Sequence, residues 1–383
     1  MLLLIFIIGA AVTACWYLGV VFFLLRGLHG LTPAEQAHGH QFSIVIAARN
    51  EENNIAHCLD TVFSQTIDPN RFEVIVVNDR STDATQEIIN RYKKRFPQLT
   101  SITIDTTPAG ISPKKHAVTQ GVARAKYDII VFTDADCRVP PTWLDTIDRF
   151  FTPPVGLVQG ITAYHYLPGM NRLFFNLQSI DFLSHGIVAA AAIGADIPIN
   201  SNANNFAFRR EAFDASGGLT TNIGHVVSGD DDLLLQKIWK QHKWKILFMT
   251  DHKGTVTTMP TPTLYALFQQ RARWGSKTVH YNSLQVLLLT GVFLFYLFVA
   301  TSFVVSVISA KLYFFTILLF LIKFIGEAFL MIPGLRHFGH SYLLPLLPVA
   351  SLLQLPLVLF AVLIGIFGKF SWKEQSFSRT INP

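Results

Sequence analysis

The stretch "FEVIVVNDRSTDATQEIINRY" (residues 72–92) decides how the rest of this chain is read. It opens on a run rich in β-branched residues, Val74 to Val77, and breaks at Asn78-Asp79. Ser81, Thr82 and Asp83 then offer helix caps, and a helix-compatible segment follows. The same strand–turn–helix plan occurs upstream in "FSIVIAARNEENNI" (42–55). Downstream, "SITID" (101–105) reads as a strand, "SPKKHAVTQGVARA" (112–125) as a helix and "DIIVFTDADC" (128–137) as the next strand. Near-continuous β-branched runs alternating with helices predict an α/β domain, its mainly parallel sheet covered on both faces. Ligands of such sheets bind beyond the carboxyl ends of the strands. The polar clusters Arg49 to Glu51, Asn78 to Asp83 and Asp134 to Asp136 all fall at those ends.

The following part is less regular. "VGLVQGITAYHY" (155–166) predicts a strand, and "NRLFFNLQSIDFLSHGIVAAAAI" (171–193) a long, apolar-faced helix. "NSNANNFAFRREAF" (200–213) reads as a polar loop entering a strand. "GDDDLLLQKIWKQ" (229–241) starts a helix on three aspartates, which favourably meet a helix N-terminus. "TPTLYALFQQRARWGSKTVHY" (261–281) is amphipathic, basic and aromatic, and predicts a helix lying along a membrane surface.

Only 15% of the 383 residues are charged, against about 25% in ordinary soluble domains. Residues 1–25, 286–310 and 342–368 carry no charge at all, and 312–335 carries only Lys323 and Glu327. Each run exceeds the roughly 20 apolar residues that cross a bilayer. The chain therefore reads as an integral membrane protein with four candidate spans and one soluble domain. Its expected parts are an anchor (1–26), a catalytic domain (38–260), an interfacial helix (261–283), a membrane region of about three segments (286–368) and a basic tail (369–383). "VTAC" (12–15) has the shape of a lipoprotein box, but the apolar run continues past Cys15 to Leu25, as an uncleaved anchor would. Arg26 follows directly and places the soluble domain in the cytoplasm. Three spans after a cytoplasmic domain would put the tail outside, whereas its charges argue for the inside. A break of 342–368 into a re-entrant segment at Pro345, Pro348 and Pro356 would reconcile the two, and the sequence leaves both topologies open. A net charge of +6 without long basic runs gives no support to nucleic-acid binding. The three cysteines, Cys15, Cys58 and Cys137, show neither metal-ligand spacing nor a disulfide framework.

Asp134 and Asp136 end an apolar strand one residue apart. Two close carboxylates raise each other's pKa unless a cation neutralises them, a task suited to Mg²⁺ or Mn²⁺. Taken alone, the pair is also compatible with a solvated loop. Asp230, Asp231 and Asp232 exceed what helix capping needs, and a carboxylate aimed at a cleft can serve as a general base. Gln270, Arg273 and Trp274 share one helical face, where arginine can hold a diphosphate and tryptophan offers a stacking surface. The same residues would equally suit a lipid interface.

Taken in order, "AARNEE", "VVNDRSTD", "PKKHA", "FTDADC", "NANNFAFRREAF", "SGDDD" and "QRARW" resemble a membrane-bound family 2 glycosyltransferase with a GT-A, Rossmann-like fold. The flanking spans are similar to those of ceramide glucosyltransferases and of cellulose and hyaluronan synthases. The resemblance implies that Ala47, Arg49 and Glu51 form a nucleotide-binding loop, that Asp79 contacts the uracil and that Lys114 lies near the nucleotide. It further implies that Asp134 and Asp136 hold a divalent metal (Mg²⁺ or Mn²⁺) and the diphosphate. Asp231 would be the catalytic base, with Asp230 in the preceding acidic position and Asn205 in the acceptor loop. Gln270, Arg273 and Trp274 would sit near diphosphate and acceptor. Asn78, Arg80, Asp230, Ala203 and Asn204 depart from the commoner family residues without removing a group the chemistry needs.

The activity so implied is inverting transfer of a sugar from a nucleotide-sugar, a UDP-sugar first, to a hydroxyl of a lipid, lipid-linked or saccharide acceptor. The setting would be the cytoplasmic face of a membrane of bacterial inner-membrane type. A processive polysaccharide synthase is the alternative within the class. A catalytically silent nucleotide-sugar-binding membrane partner is the alternative outside it.

Overall fold

The computed structural model describes residues 1–226, 229–308, 312–368, 370–372 and 375–377. In chain order it contains α1 (Leu2–His29), β1 (Phe42–Ala48), α2 (Ile55–Val62), β2 (Phe72–Asp79), α3 (Thr85–Arg95), β3 (Leu99–Ile104), α4 (Pro113–Arg124), β4 (Ile129–Phe132) and α5 (Trp143–Asp148). Then come β5 (Val155–Gly160), β6 (Thr162–Tyr164), α6 (Arg172–Gly194), β7 (Phe206–Arg209), α7 (Arg210–Ala215), α8 (Asp232–Trp239), β8 (Lys245–Met249) and β9 (Val256–Thr258). Four helices follow, α9 (Leu264–Ser276), α10 (Ser283–Ile308), α11 (Tyr313–His337) and α12 (Leu347–Phe367), before a short antiparallel hairpin, β10 (Phe370–Trp372) with β11 (Gln375–Phe377). Two compact units emerge: a sheet unit, Leu31–Met170 with Asp196–Pro260, and a helical unit, Met1–Gly30 with Asn171–Ala195 and the described residues of Thr261–Arg379.

The sheet unit is built on seven strands in the order β3-β2-β1-β4-β7-β5-β8. β3, β2, β1 and β4 run parallel, as their β-branched runs predict, and every residue of β2 is buried. β7 runs antiparallel to both neighbours, β4 and β5. This reversal has a consequence for the site. Phe206, the first residue of β7, pairs with Phe132, the last of β4, so the polar loop before β7 arrives at the carboxyl end of β4. One face of the sheet packs Ile44, Ile46, Val74 and Val76 against Ile55, Leu59 and Val62 of α2 and Trp143 and Ile147 of α5. The segment expected as one strand at 155–166 is two: β5 stays in the large sheet, and β6 pairs with β9.

A buried carboxylate ties the entry of the chain into this unit. Asp148 accepts from the backbone N–H of Gly39 (2.9 Å) and His40 (3.0 Å), from His40 Nδ1 (2.8 Å) and from Arg71 Nη2 (2.8 Å). Burial would push the Asp148 carboxyl up, but the bonds from Arg71, Gly39 and His40 outweigh it and hold it below the usual range.

Among the described residues, five helices of the helical unit are long and apolar enough to cross a membrane: Leu3–His29, Arg172–Gly194, Ser283–Ile308, Tyr313–His337 and Ser341–Phe367. The sequence reading counts four. Arg172–Gly194 is the addition; its mean hydropathy of 1.3 is below the 2.2 to 2.5 of the others. It lies inside the range expected for the catalytic domain (38–260) but packs with the apolar helices. A Cβ on Gly27 would lie 2.0 Å from the carbonyl oxygen of Ala191, so the α1 and α6 backbones touch through small residues. Lys323 and Glu327, one turn apart on α11, form an ion pair at 2.5 Å, and the pair has further partners. Lys323 Nζ also donates to the Ser351 carbonyl (2.7 Å), while Tyr296 donates to Glu327 (2.6 Å) and Tyr17 to the Lys323 carbonyl (2.9 Å). Pro345 and Pro348 are accommodated by a 3-10 turn (Ser341–Leu346) and by the first turn of α12. α12 then runs through Pro356 without a break, so the suggested re-entrant interruption is not seen. Lys369, Lys373 and Arg379 of the basic tail lie outside the described residues.

Asp148 generates a test of the fold. Asp148→Ala is expected to cost about 3 kcal/mol, the scale for breaking a buried pair. Because the folded carboxyl lies below its unfolded value of about 3.9, its stabilisation is present above that pH and fades as pH falls through the folded value. Thermal unfolding of variant and parent between pH 3 and 7 should therefore converge at the acid end.

Candidate active site

Three parallel strands deliver their loops to one edge of the sheet. β1 ends before Arg49, Asn50 and Glu51; β2 ends on Asp79; β4 ends before Asp134. Two of these exits are left-handed, at Asn50 (φ 53°) and Arg80 (φ 54°). For a residue other than glycine that conformation costs roughly 1–3 kcal/mol and needs local support. The support is an interlock of the first two loops. Asn50 N–H donates to Ser81 Oγ (3.0 Å), and Asn50 Oδ1 accepts from Thr82 N–H (2.9 Å). Glu51 N–H donates to Thr85 Oγ1 (2.8 Å), and Glu52 Oε2 accepts from Ala84 N–H (2.9 Å). Asp79, 4% exposed, accepts from Arg80 Nε (2.8 Å) and lies 3.9 Å from Arg49 Nη1. Ala47 is the penultimate residue of β1, in register with Val77.

Beyond β4 the chain turns, closed by Cys137 N–H on the Asp134 carbonyl (3.1 Å). The turn moves Asp134 and Asp136 off the strand, where alternate residues would otherwise diverge. Burial, then Asp134, then Glu51 push the Asp136 carboxyl up to about 6, against the opposing pull of Lys114 and Cys137. The loop is backed by two buried thiols: Cys58 Sγ contacts the Asp134 carbonyl and Cys137 Sγ the Asp136 carboxylate, both at 3.6 Å.

Lys114 joins this loop to the acidic triplet. Its Nζ lies 2.9 Å from Asp134 Oδ1 and 3.1 Å from Asp230 Oδ2. Burial would lower the Lys114 ammonium, but Asp134 and Asp230, with Asp231 beside them, hold it well above the usual lysine range. Burial likewise would raise Asp230, yet Lys114 and Lys115 hold it low. The arrangement follows from topology, since α4 carries Lys114 in its first turn and a crossover helix between parallel strands starts at their carboxyl edge.

The three aspartates divide their work. Gly229 (φ 79°) turns the chain into them; Ser228, which precedes it, lies outside the described residues. Asp230 faces Lys114. Asp231 caps α8: Oδ1 accepts from Asp232 N–H (2.7 Å) and Oδ2 from Ala203 N–H (3.0 Å). Asp232 is fully buried and accepts from the Ser201 N–H. Asn205, expected in the acceptor loop, is 1% exposed, and its amide is engaged by Trp143 Nε1 (2.9 Å), the Ile161 carbonyl (2.9 Å) and the Gly254 carbonyl (2.8 Å). It braces the wall of the edge. Gln270, Arg273 and Trp274 belong to α9 of the helical unit.

Arg138 and His165 escaped the sequence reading. Arg138 Nη1 donates to His165 Nε2 at 2.8 Å. Burial and then Arg138 hold the His165 imidazole below its ordinary range, so that its nitrogen can accept. Their separation of 27 positions leaves no periodic signal.

The site carries carboxylates, one ammonium and an acid between two guanidinium groups, all on loops at a strand-carboxyl edge. The model of glycosyl transferase family 21, a GT-A family of the family 2 type, matches residues 6–378. The chain belongs to glycosyl transferase family 21. This family 21 chain is 27% identical over 245 residues to a beta-monoglucosyldiacylglycerol synthase of Synechocystis sp., covering 61% of this chain and 47% of that protein. It is 37% identical over 94 residues to a 4,4'-diaponeurosporenoate glycosyltransferase of Staphylococcus aureus, covering 24% and 23%. It thus spans about half, or less, of these relatives' lengths. A mannosyltransferase from Pyrobaculum calidifontis, solved with GDP-Man and Mn²⁺, superposes with a TM-score of 0.60 over 92% of this chain and 99% of that one, at 17% identity. That likeness establishes the GT-A fold.

Lys114→Ala tests the electrostatics. It leaves Asp134 and Asp230 without their shared cation and should lower stability by about 1–3 kcal/mol near pH 7. Lys114 stabilises below its unfolded pKa of about 10.4, and Asp230 above its unfolded pKa of about 3.9. The loss should therefore span roughly pH 5 to 9 and shrink in acid, as urea titrations across pH can measure.

Proposed function

We propose that the chain is an inverting glycosyltransferase that moves a sugar from a nucleotide-sugar to a hydroxyl of a lipid or lipid-linked acceptor at a membrane surface. The observation that carries this reading is the acidic group Asp134, Asp136, Asp230 and Asp231, gathered by Lys114 at the carboxyl edge of β4. The lipid acceptor is supported by five apolar helices and by a relative named for a glucosyldiacylglycerol product. A cytoplasmic sheet unit follows from Arg26 directly after the first apolar run.

Asp79, between Arg80 and Arg49, offers carboxylate oxygens to the N–H edge of a uracil ring. Among the described residues no group of three His, Cys, Asp or Glu stands ready as a metal cage. The donor set nevertheless fits a hard cation that takes its remaining ligands from phosphates. Asp136 is pushed up by burial first and then by Asp134 and Glu51, against the partial offset of Lys114. Asp134 and Asp136 are thus the residues that would hold Mg²⁺ or Mn²⁺, which would supply charge neutralisation at the diphosphate oxygens. Mn²⁺ accompanies GDP-Man in the Pyrobaculum enzyme.

Asp231 takes the proton of the acceptor hydroxyl. The new bond forms from that oxygen to the anomeric carbon while the bond to the diphosphate breaks, so one displacement inverts the centre. Asp232 is buried, and Asp230 is engaged by Lys114, which favours Asp231 as the base. Following the family resemblance, Gln270, Arg273 and Trp274 serve the diphosphate and the acceptor.

The test uses membranes carrying the full chain, a panel of UDP- and GDP-sugars and a lipid extract, with product identified by mass spectrometry. Asp231→Asn keeps the oxygen that caps α8. It loses the acceptor for the Ala203 N–H, so it should fold with stability lowered by about 1–2 kcal/mol and bind nucleotide normally, while turnover falls about 10²–10⁴-fold. Chelation by EDTA should abolish transfer, and Mg²⁺ or Mn²⁺ should restore it. Full activity in Asp231→Asn, or transfer that ignores EDTA, would overturn the respective assignment.

A further inference from the structure

Arg271 stands inside the Gln270–Trp274 stretch at a position that the family resemblance leaves without a role. An arginine on a surface helix ordinarily extends its head to water. Arg271 instead turns inward and is 3% exposed. Its Nε donates to Asp181 Oδ2 at 2.6 Å, and Nη2 lies beside the same oxygen. Nη1 donates to Gln270 Oε1 at 2.5 Å. The guanidinium carbon also lies 4.1 Å from the centroid of the Trp274 ring. One buried cation therefore touches two of the three α9 side chains implicated above.

α6 supplies the counterpart. Asp181 carries the charge that makes burial of Arg271 tolerable. One turn on, His185 Nδ1 is bonded to the Asp181 carbonyl at 2.8 Å, and its ring meets Trp274 edge-on at 5.3 Å. Phe182 packs on the same indole, with centroids 6.0 Å apart. Trp274 is thus enclosed by Arg271, His185 and Phe182.

We propose that Arg271, anchored by Asp181, is a positioning residue that sets the Gln270 side chain and the plane of the Trp274 ring. The proposal rests on the reading above, in which Gln270 and Trp274 serve the substrates; Arg271 acts through them. Pairing with a carboxylate while stacking on an indole needs a planar guanidinium. Lysine keeps the charge but loses that plane, so it is not an equivalent.

The experiment uses the full chain purified in detergent, with Arg271→Lys, Arg271→Ala, Asp181→Asn, Trp274→Ala and the double variants of Arg271 with Trp274. Arg271→Lys and Asp181→Asn should each reduce kcat at least tenfold. The Arg271→Lys/Trp274→Ala double variant should lose clearly less than the product of the two single losses, since with Trp274 gone only Gln270 is left for Arg271 to position. Arg271→Lys carries this cycle even if Arg271→Ala does not fold. A second readout does not depend on transfer. The Trp274 fluorescence, taken in each background as the difference from the same protein carrying Trp274→Phe, should shift in wavelength in Arg271→Lys as the stacked guanidinium plane is lost. Losses that multiply in the double variant, or an unchanged Trp274 spectrum, would overturn the proposal. Should the parent transfer no sugar at all, the proposed function fails, and the spectrum still decides whether Arg271 orients Trp274.

Discussion

One ammonium, Lys114, holds Asp134 and Asp230 within ion-pair distance, and much of the sheet unit is arranged so that this contact can exist. The parallel strands β1, β2 and β4 place their exits on a single edge. The crossover helix α4 brings Lys114 to that edge in its first turn. The antiparallel β7 returns the Asn202–Asn205 loop there, and Asp231 fastens that loop through Ala203. Carboxylates crowded at low exposure repel one another unless positive charge is supplied. Burial first, then Asp134 and Glu51, raise the Asp136 carboxyl despite Lys114, so the ionised acid carries a deficit of stabilisation at this edge. A negatively charged diphosphate would deepen that deficit, which is the physical reason a divalent cation belongs in the proposed reaction.

The helical unit answers a different constraint. In hydrocarbon, polar groups must find partners within the protein. Lys323, Glu327, Ser351 and Tyr296 do so among α10, α11 and α12. Where helices touch, side chains give way to backbone. A Cβ on Gly365 of α12 would lie 2.7 Å from the Gly275 carbonyl carbon of α9, a second close backbone approach beside that of Gly27 and Ala191. The helix that bears Gln270, Arg271 and Trp274 is therefore seated directly on an apolar span.

Much of this was legible in the linear order of residues. The strands at Phe42, Phe72 and Ile129 and the helices after them follow from β-branched runs broken by polar caps. Asp134 and Asp136 stood out because charges rarely close a buried strand. Three features were not legible. α6 carries Arg172, Asp181 and His185, which dilute its hydropathy below that of the other apolar helices. β7 has the composition of any buried strand, and direction leaves no mark on composition. Asn205 was placed in the acceptor loop, yet it is buried, its oxygen taken by Trp143, sixty-two residues earlier.

The sequence by itself determined what the local chain can do: its strands, caps and spans, and which residues bear charge at which strand end. These are short-range properties, set by side-chain shape and by transfer from water. Only the tertiary structure decided which charges meet. That Lys114 answers Asp134 and Asp230, that Asp232 is buried while Asp231 caps a helix, and that Asp181 grips Arg271 ninety residues later all depend on long-range packing. Electrostatic energy depends on distance and burial, and neither can be read from separation along the chain.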